Sequence, residues 1–145
     1  MANIQHATRN MDSITLAFKV MTYDIDFAGV VSNITYVRWL EDLRNLLAEE
    51  RLTLGEAFAR GIAPTVTRTE IDYLTPVRFP DIVDGRMWPE KTGRARWVLA
   101  AEFTSRATGQ VTARARQTGV FVSLETLRPV PLPPEYGAST VKGIS

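Results

Sequence analysis

Apolar and polar positions alternate across residues 13–23, where Ile14, Leu16, Phe18 and Val20 are separated by Thr15, Ala17 and Lys19. A period of two predicts a half-buried strand. Across residues 33–50 the period changes. Tyr36, Leu40, Leu43 and Leu47 form one stripe, Arg38, Glu41, Asp42, Arg44, Asn45 and Glu49 fall largely off it, and Val37, Trp39 and Leu46 widen the apolar surface. This spacing predicts a helix of about five turns that is apolar on more than one side and therefore wrapped by other structure. Thr53-Leu54-Gly55-Glu56 fits a capping box, so a second, shorter helix starts there and stops near Gly61.

Strand character follows. Val66, Ile71, Tyr73, Leu74, Val77 and Phe79 sit among threonines up to Pro80, with Pro76 marking an edge or a bulge. Residues 82–89 read as a short strand and Lys91-Thr92-Gly93 as a turn. Residues 94–106 and 110–123 are joined by Ala107-Thr108-Gly109, a connection short enough to demand an antiparallel hairpin. The proline-rich residues 128–134 run extended, and residues 137–145 read as a flexible Gly/Ser/Thr tail. The order predicts one α+β domain over residues 1–136, a five-stranded antiparallel sheet wrapped around a long central helix. Long strands with open edges call for a partner, so a homodimer that joins two sheets is expected.

Candidate chemistry concentrates between the first strand and the long helix. Tyr23-Asp24-Ile25-Asp26-Phe27-Ala28-Gly29-Val30-Val31-Ser32-Asn33 places two carboxylates, then a glycine turn, then a helix start. A helix N-terminus carries unpaired N–H groups and roughly +0.5 of an elementary charge. A substrate oxygen docked there is polarised while Asp26 acts on the adjacent carbon, which suggests acyl-group hydrolysis. The same aspartates also fit a plainer role, ending a strand and capping a helix.

Composition narrows the chemistry. The 145 residues, 45% hydrophobic, suffice for one core. There is no cysteine, which excludes disulfides, thiolate metal sites and a cysteine nucleophile. The single histidine, His6, lies in a polar N-terminal stretch, so neither a Ser-His-Asp triad nor a multi-histidine metal site is expected, and no cofactor is required. A net charge of +1 with no reader motif argues against nucleic-acid binding. Neither an apolar run near the ~20 residues of a membrane span nor a signal-peptide pattern is present, so a cytoplasmic protein without membrane contact is expected. The sequon Asn33-Ile34-Thr35 is read as a coincidence.

Asp24-Ile25-Asp26-Phe27-Ala28-Gly29-Val30-Val31, leading into Asn33-Ile34-Thr35-Tyr36-Val37-Arg38-Trp39-Leu40, resembles the hotdog-fold acyl-CoA thioesterases of the 4-hydroxybenzoyl-CoA thioesterase type. Ile71-Asp72-Tyr73-Leu74-Thr75-Pro76-Val77-Arg78-Phe79-Pro80-Asp81 and the Arg128-Pro129-Val130-Pro131-Leu132-Pro133 end are similar to later parts of that pattern. The resemblance spans about residues 12–136 and implies hydrolysis of an acyl-CoA by a homodimer or homotetramer, with an acyl carrier protein thioester as the close variant. It implies Asp26 as nucleophile or general base, the backbone N–H of Asn33 as oxyanion donor, and Gly29 as the residue that permits the close turn. Phe27 stands where small residues or proline are common, and many members have histidine at the place of Asn33.

The resemblance also implies that Lys91, Arg94 and Arg96 meet coenzyme A phosphates, for which the planar donor fork of arginine is suited. A solvated strand edge is the equal alternative for these three. Phe27, Tyr36 and Tyr73 are candidates to line the acyl pocket, and the tyrosines equally fit ordinary packing. A non-catalytic acyl-CoA binding protein of the same fold is the competing functional class.

Overall fold

The computed structural model describes residues 13–90 and 93–136, together with the backbone of residues 4–9. The elements run β1 (Ile4–Arg9), β2 (Ile14–Lys19), a 3-10 turn (Thr22–Asp24), α1 (Asn33–Glu49), α2 (Leu54–Ala59), β3 (Ile62–Tyr73), β4 (Ile82–Pro89), β5 (Trp97–Ser105), β6 (Val111–Ser123) and β7 (Pro129–Val130). All strand pairings are antiparallel, in the order β1-β2-β4-β5-β6-β3, with β7 also on β6. β5 follows β6 only as far as the Trp97–Gly119 pair, and β6 continues beyond it. β7 takes up that exposed length through Phe121–Val130 and Val122–Pro129.

The long helix lies against β2 and β4 and buries Tyr36, Trp39, Leu40, Leu43 and Leu47, the predicted stripe together with Trp39. Phe18 of β2 stacks on Trp39 at 4.8 Å between ring centroids, and Phe103 of β5 meets Tyr36 edge-on at 5.1 Å. Each such side chain contributes about 1.5–3 kcal/mol by leaving water. Thr53 and Glu56 form the predicted reciprocal capping box at the start of α2. Asp81 ties three elements together: its carboxylate accepts from Ile82 N at 2.7 Å, Ala107 N at 3.1 Å and Ser105 Oγ at 2.6 Å, while its carbonyl accepts from Val20 N at 2.9 Å.

Among the described residues the sheet has seven strands where five were expected. β1 was missed because residues 4–9 lack a regular apolar alternation, and His6 accordingly sits in a strand, opposite Ala17, instead of ahead of all structure. β7 is only two residues long and begins at a proline, which an edge position tolerates. β3 starts four residues earlier than predicted and ends at Tyr73, so Pro76 follows the strand and Pro64 is the proline within it. Residues 94–96 precede β5, and the first strand ends at Lys19. The turn at Lys91 and Thr92 and the tail at 137–145 lie outside the described residues.

Gly119 explains how β6 can pass beneath an indole. A Cβ built there would stand 2.0 Å from Trp97 Cζ2 and 2.5 Å from the Thr65 carbonyl oxygen. Neither neighbour has room to retreat, because Trp97 is buried and Thr65 O belongs to the paired backbone of β3. Gly119→Ala is therefore expected to cost about 2–3 kcal/mol by overpacking, lowering the melting temperature by roughly 5–10 °C. A calorimetric melt of the variant within 2 °C of wild type, by the same rough scale, would contradict this packing.

Candidate active site

Helix α1 begins where three polar groups converge. Ser32 is its N-cap, with Oγ accepting from Thr35 N at 3.3 Å. Thr35 is buried, and its hydroxyl donates to the Asp24 carbonyl at 2.9 Å, which also accepts from Ser32 N at 2.9 Å. The buried Asp24 carboxylate accepts from Met21 N at 2.8 Å. Asp24 thus serves the architecture of the turn and the helix start. The helix end is fixed while the Asn33 N–H, at the first helical position, makes no hydrogen bond among the described residues.

The intervening turn is stitched on both sides. Asp26 N donates to Val30 O and Gly29 N to Asp26 O, each at 2.9 Å. Val31 N donates to Val77 O at 2.9 Å, and Phe79 N to Gly29 O at 3.2 Å. Gly29 adopts φ +77°, a conformation that side-chain-bearing residues rarely take, which is the physical content of the expected glycine turn. Asp26 Oδ1 accepts from Ala28 N at 2.8 Å, with Val30 N at 3.5 Å. One carboxylate oxygen is so held by backbone, and Oδ2 has no partner among the described residues.

Asp26, Asn33, Tyr36 and Tyr73 line one cleft of about 260 Å³. Its remaining walls include Leu74, Thr75, Pro76 and Val77. The sequence reading missed these four as site residues because Pro76 was placed within a strand. Thr112 holds that wall in place, its carbonyl accepting from Leu74 N at 2.8 Å and Thr75 N at 3.2 Å. Within one chain the Phe27 ring is fully exposed at the tip of the turn and stands outside the cleft wall, because the turn uses backbone bonds around Asp26 and directs residue 27 to solvent. Arg94 and Arg96 are exposed and precede Trp97, at the end of the sheet near the C-terminus of α1, remote from Asp26 within one chain. Lys91 lies outside the described residues. Trp39 and Trp97 are core residues, whereas Trp88 packs under Arg86 at 4.6 Å. Among the described residues no cluster of His, Cys, Asp and Glu is arranged to hold a metal, and no helix is long and apolar enough to cross a membrane.

The two cleft tyrosines pack edge-on at 5.6 Å. Tyr36 donates its hydroxyl to Thr112 Oγ1 at 2.9 Å, and Thr112 passes its own hydrogen to Phe103 O at 3.4 Å. Burial pushes the Tyr36 phenol up from its ordinary value, helped by Tyr73 and Asp81 and opposed by the Thr112 bond. Burial likewise raises Tyr73. Both stay neutral at physiological pH and present polar tips without charge. A raised folded-state pKa contributes stability that is present below the unfolded value near 10 and is lost as pH rises through the folded value. Wild-type melting temperature is expected to fall above about pH 10, and Tyr36→Phe to show a smaller fall over the same interval. Parallel curves for the two proteins would contradict the buried, neutral phenol.

Residues 20–139 match the model of a protein family described as the thioesterase-like superfamily. No curated protein sequence matches the chain. Among solved structures, a DHNA-CoA thioesterase from Staphylococcus aureus superposes with a TM-score of 0.81 at 20% identity, covering 90% of this chain and 89% of that one. A 1,4-dihydroxy-2-naphthoyl-CoA thioesterase from Synechocystis gives 0.81 at 20% identity, with 92% and 98% covered. The probable thioesterase YbaW from Escherichia coli gives 0.77 at 24% identity, with 90% and 98% covered. The structural likeness establishes the hotdog fold, and the family match over most of the chain establishes that it belongs to the thioesterase-like superfamily, as a thioester hydrolase of the 4-hydroxybenzoyl-CoA thioesterase type.

Proposed function

We propose that the chain hydrolyses acyl-CoA thioesters with Asp26 as the catalytic carboxylate. The observation that carries this reading is a coincidence of two groups: Asp26 Oδ2 and the Asn33 backbone N–H, neither with a partner among the described residues, border the same cleft. A thioester carbonyl oxygen accepts from the Asn33 N–H, where the helix dipole favours developing negative charge. Asp26 takes a proton from water as the water oxygen bonds to the carbonyl carbon. The tetrahedral oxyanion then collapses, the C–S bond breaks with its electron pair going to sulfur, and the proton passes to the coenzyme A thiolate. In the nucleophilic variant Oδ2 itself bonds to the carbonyl carbon, the C–S bond breaks with coenzyme A leaving as the thiolate, and water then hydrolyses the mixed anhydride to the free acid and the regenerated Asp26 carboxylate. The preorganised donor contributes on the order of 3–4 kcal/mol.

A cleft of about 260 Å³ flanked by two tyrosines suits a compact acyl group better than a long chain. Coenzyme A is the proposed thiol carrier, with a carrier protein as the alternative. We also propose a homodimer, or a tetramer built from it, through β3. This strand pairs with β6 on one side, its other edge is unpaired among the described residues, and Tyr73 and Leu74 are exposed beside it. Antiparallel pairing of two β3 edges about a two-fold would set the Pro64 end of one chain against the Tyr73 end of the other. That arrangement would carry Arg94 and Arg96 toward the partner's cleft, the route by which they would meet coenzyme A.

Release of free thiol from benzoyl-, short-chain and long-chain acyl-CoA tests the reading, with no background from a cysteine-free protein. Wild type should turn over the compact thioesters, and Asp26→Asn should lower kcat by about 10²–10⁴ while retaining the fold. Unchanged turnover in the variant would remove Asp26 from the mechanism. Tight binding of acyl-CoA without thiol release by wild type would select the non-catalytic binding protein.

A further inference from the structure

A second cavity, of about 550 Å³, opens at the other end of α1, about 20 Å along the helix from Asn33. Leu47, Leu52, Ala57, Trp97, Leu99 and Phe121 give it an apolar body. Arg44 is on its wall and half-buried. Arg60, Arg106, Arg114 and Arg116, all exposed, each face a carboxylate. Arg44 Nη1 instead donates to the neutral Oε1 of Gln117 at 2.8 Å, and no ion pair to Arg44 forms among the described residues.

The support beneath Arg44 is built. Gln117 is 2% exposed, and its Nε2 donates to Thr69 Oγ1 at 3.0 Å. The Thr69 bond fixes which end of the amide faces the helix, so the oxygen is presented to the guanidinium and holds it at the cavity wall. Burial lowers the Arg44 pKa, against a smaller opposing pull from Glu41 and Tyr136. A cation drawn partly out of water and met by a neutral amide is left short of compensation. An anion at the cavity mouth would supply it, and the apolar walls would take the rest of the same molecule.

We propose that this cavity binds an amphipathic carboxylate, with the apolar chain against Leu47, Trp97 and Phe121 and the carboxylate on the Arg44 guanidinium. The site goes beyond the thioesterase reading and does not rest on it, since occupancy is measured with no thioester present. Gln117 is the positioning residue for Arg44.

Isothermal titration of the full chain with octanoate, and with octan-1-ol as the neutral control, tests the site. Wild type should bind octanoate more tightly than octanol. Arg44→Met should weaken octanoate at least about tenfold, the equivalent of one charge-assisted hydrogen bond, and leave octanol unchanged. Arg44→Lys, which keeps the charge but loses the fork, should fall between and serves as the test if the methionine variant melts early. Arg114→Met, an exposed arginine paired with Glu102 and outside the cavity wall, should leave octanoate affinity unaltered. Equal affinity of wild type for the two ligands, no binding of octanoate, or a loss as large in Arg114→Met as in Arg44→Met would each overturn the proposal.

Discussion

The buried hydrogen bond from the Thr35 hydroxyl to the Asp24 carbonyl fixes the rest of the site. It joins the 3-10 turn that follows β2 to the first turn of α1, so the chain must reverse within eight residues, and Asp26 and Gly29 occupy that reversal. The left-handed Gly29 lets the turn close, and the backbone bonds to Val77 and from Phe79 press it against the segment that follows β3. The carboxylate and the open helix end therefore face one cleft as a consequence of chain geometry, with no long side chain reaching across to bring them together.

The aromatic cluster under this turn supplies the rigidity. Tyr36 stands at its centre, edge-on to Trp39, Tyr73 and Phe103, and its hydroxyl finds Thr112 on β6. Thr112 in turn holds Leu74 and Thr75 by its carbonyl. One buried threonine thus couples the helix, the sheet and the far wall of the cleft. A site supported in this way needs little rearrangement when charge develops on a substrate oxygen, which is the condition for electrostatic stabilisation to be effective.

Much of this was legible in the residues, and the gaps have physical causes. The helix stripe from Tyr36 to Leu47 and the capping box at Thr53 announce themselves because burial and capping constrain local sequence directly. The hotdog arrangement and the pairing of Asp26 with Asn33 were readable from the acidic turn and its likeness to a family. β1 and β7 were not, because edge strands are held by backbone bonds that place few demands on side chains. The cleft wall at Leu74 and Thr75 was hidden for a related reason: both residues have strand-like composition, and the ladder ends where both of their N–H groups turn to the single Thr112 carbonyl, just ahead of Pro76. That Phe27 stands outside the cleft of one chain was not legible, since adjacency in sequence says nothing about which side of a turn a residue takes. The separation of Arg94 and Arg96 from Asp26 follows from sheet topology, which local spacing does not encode.

The most direct measurement is a crystal structure of Asp26→Asn bound to intact benzoyl-CoA. The account predicts the thioester carbonyl oxygen within hydrogen-bond distance of the Asn33 backbone N–H, with the carbonyl carbon facing residue 26 and the acyl group between Tyr36 and Tyr73. A thioester seated elsewhere, with the start of α1 empty of substrate, would contradict it.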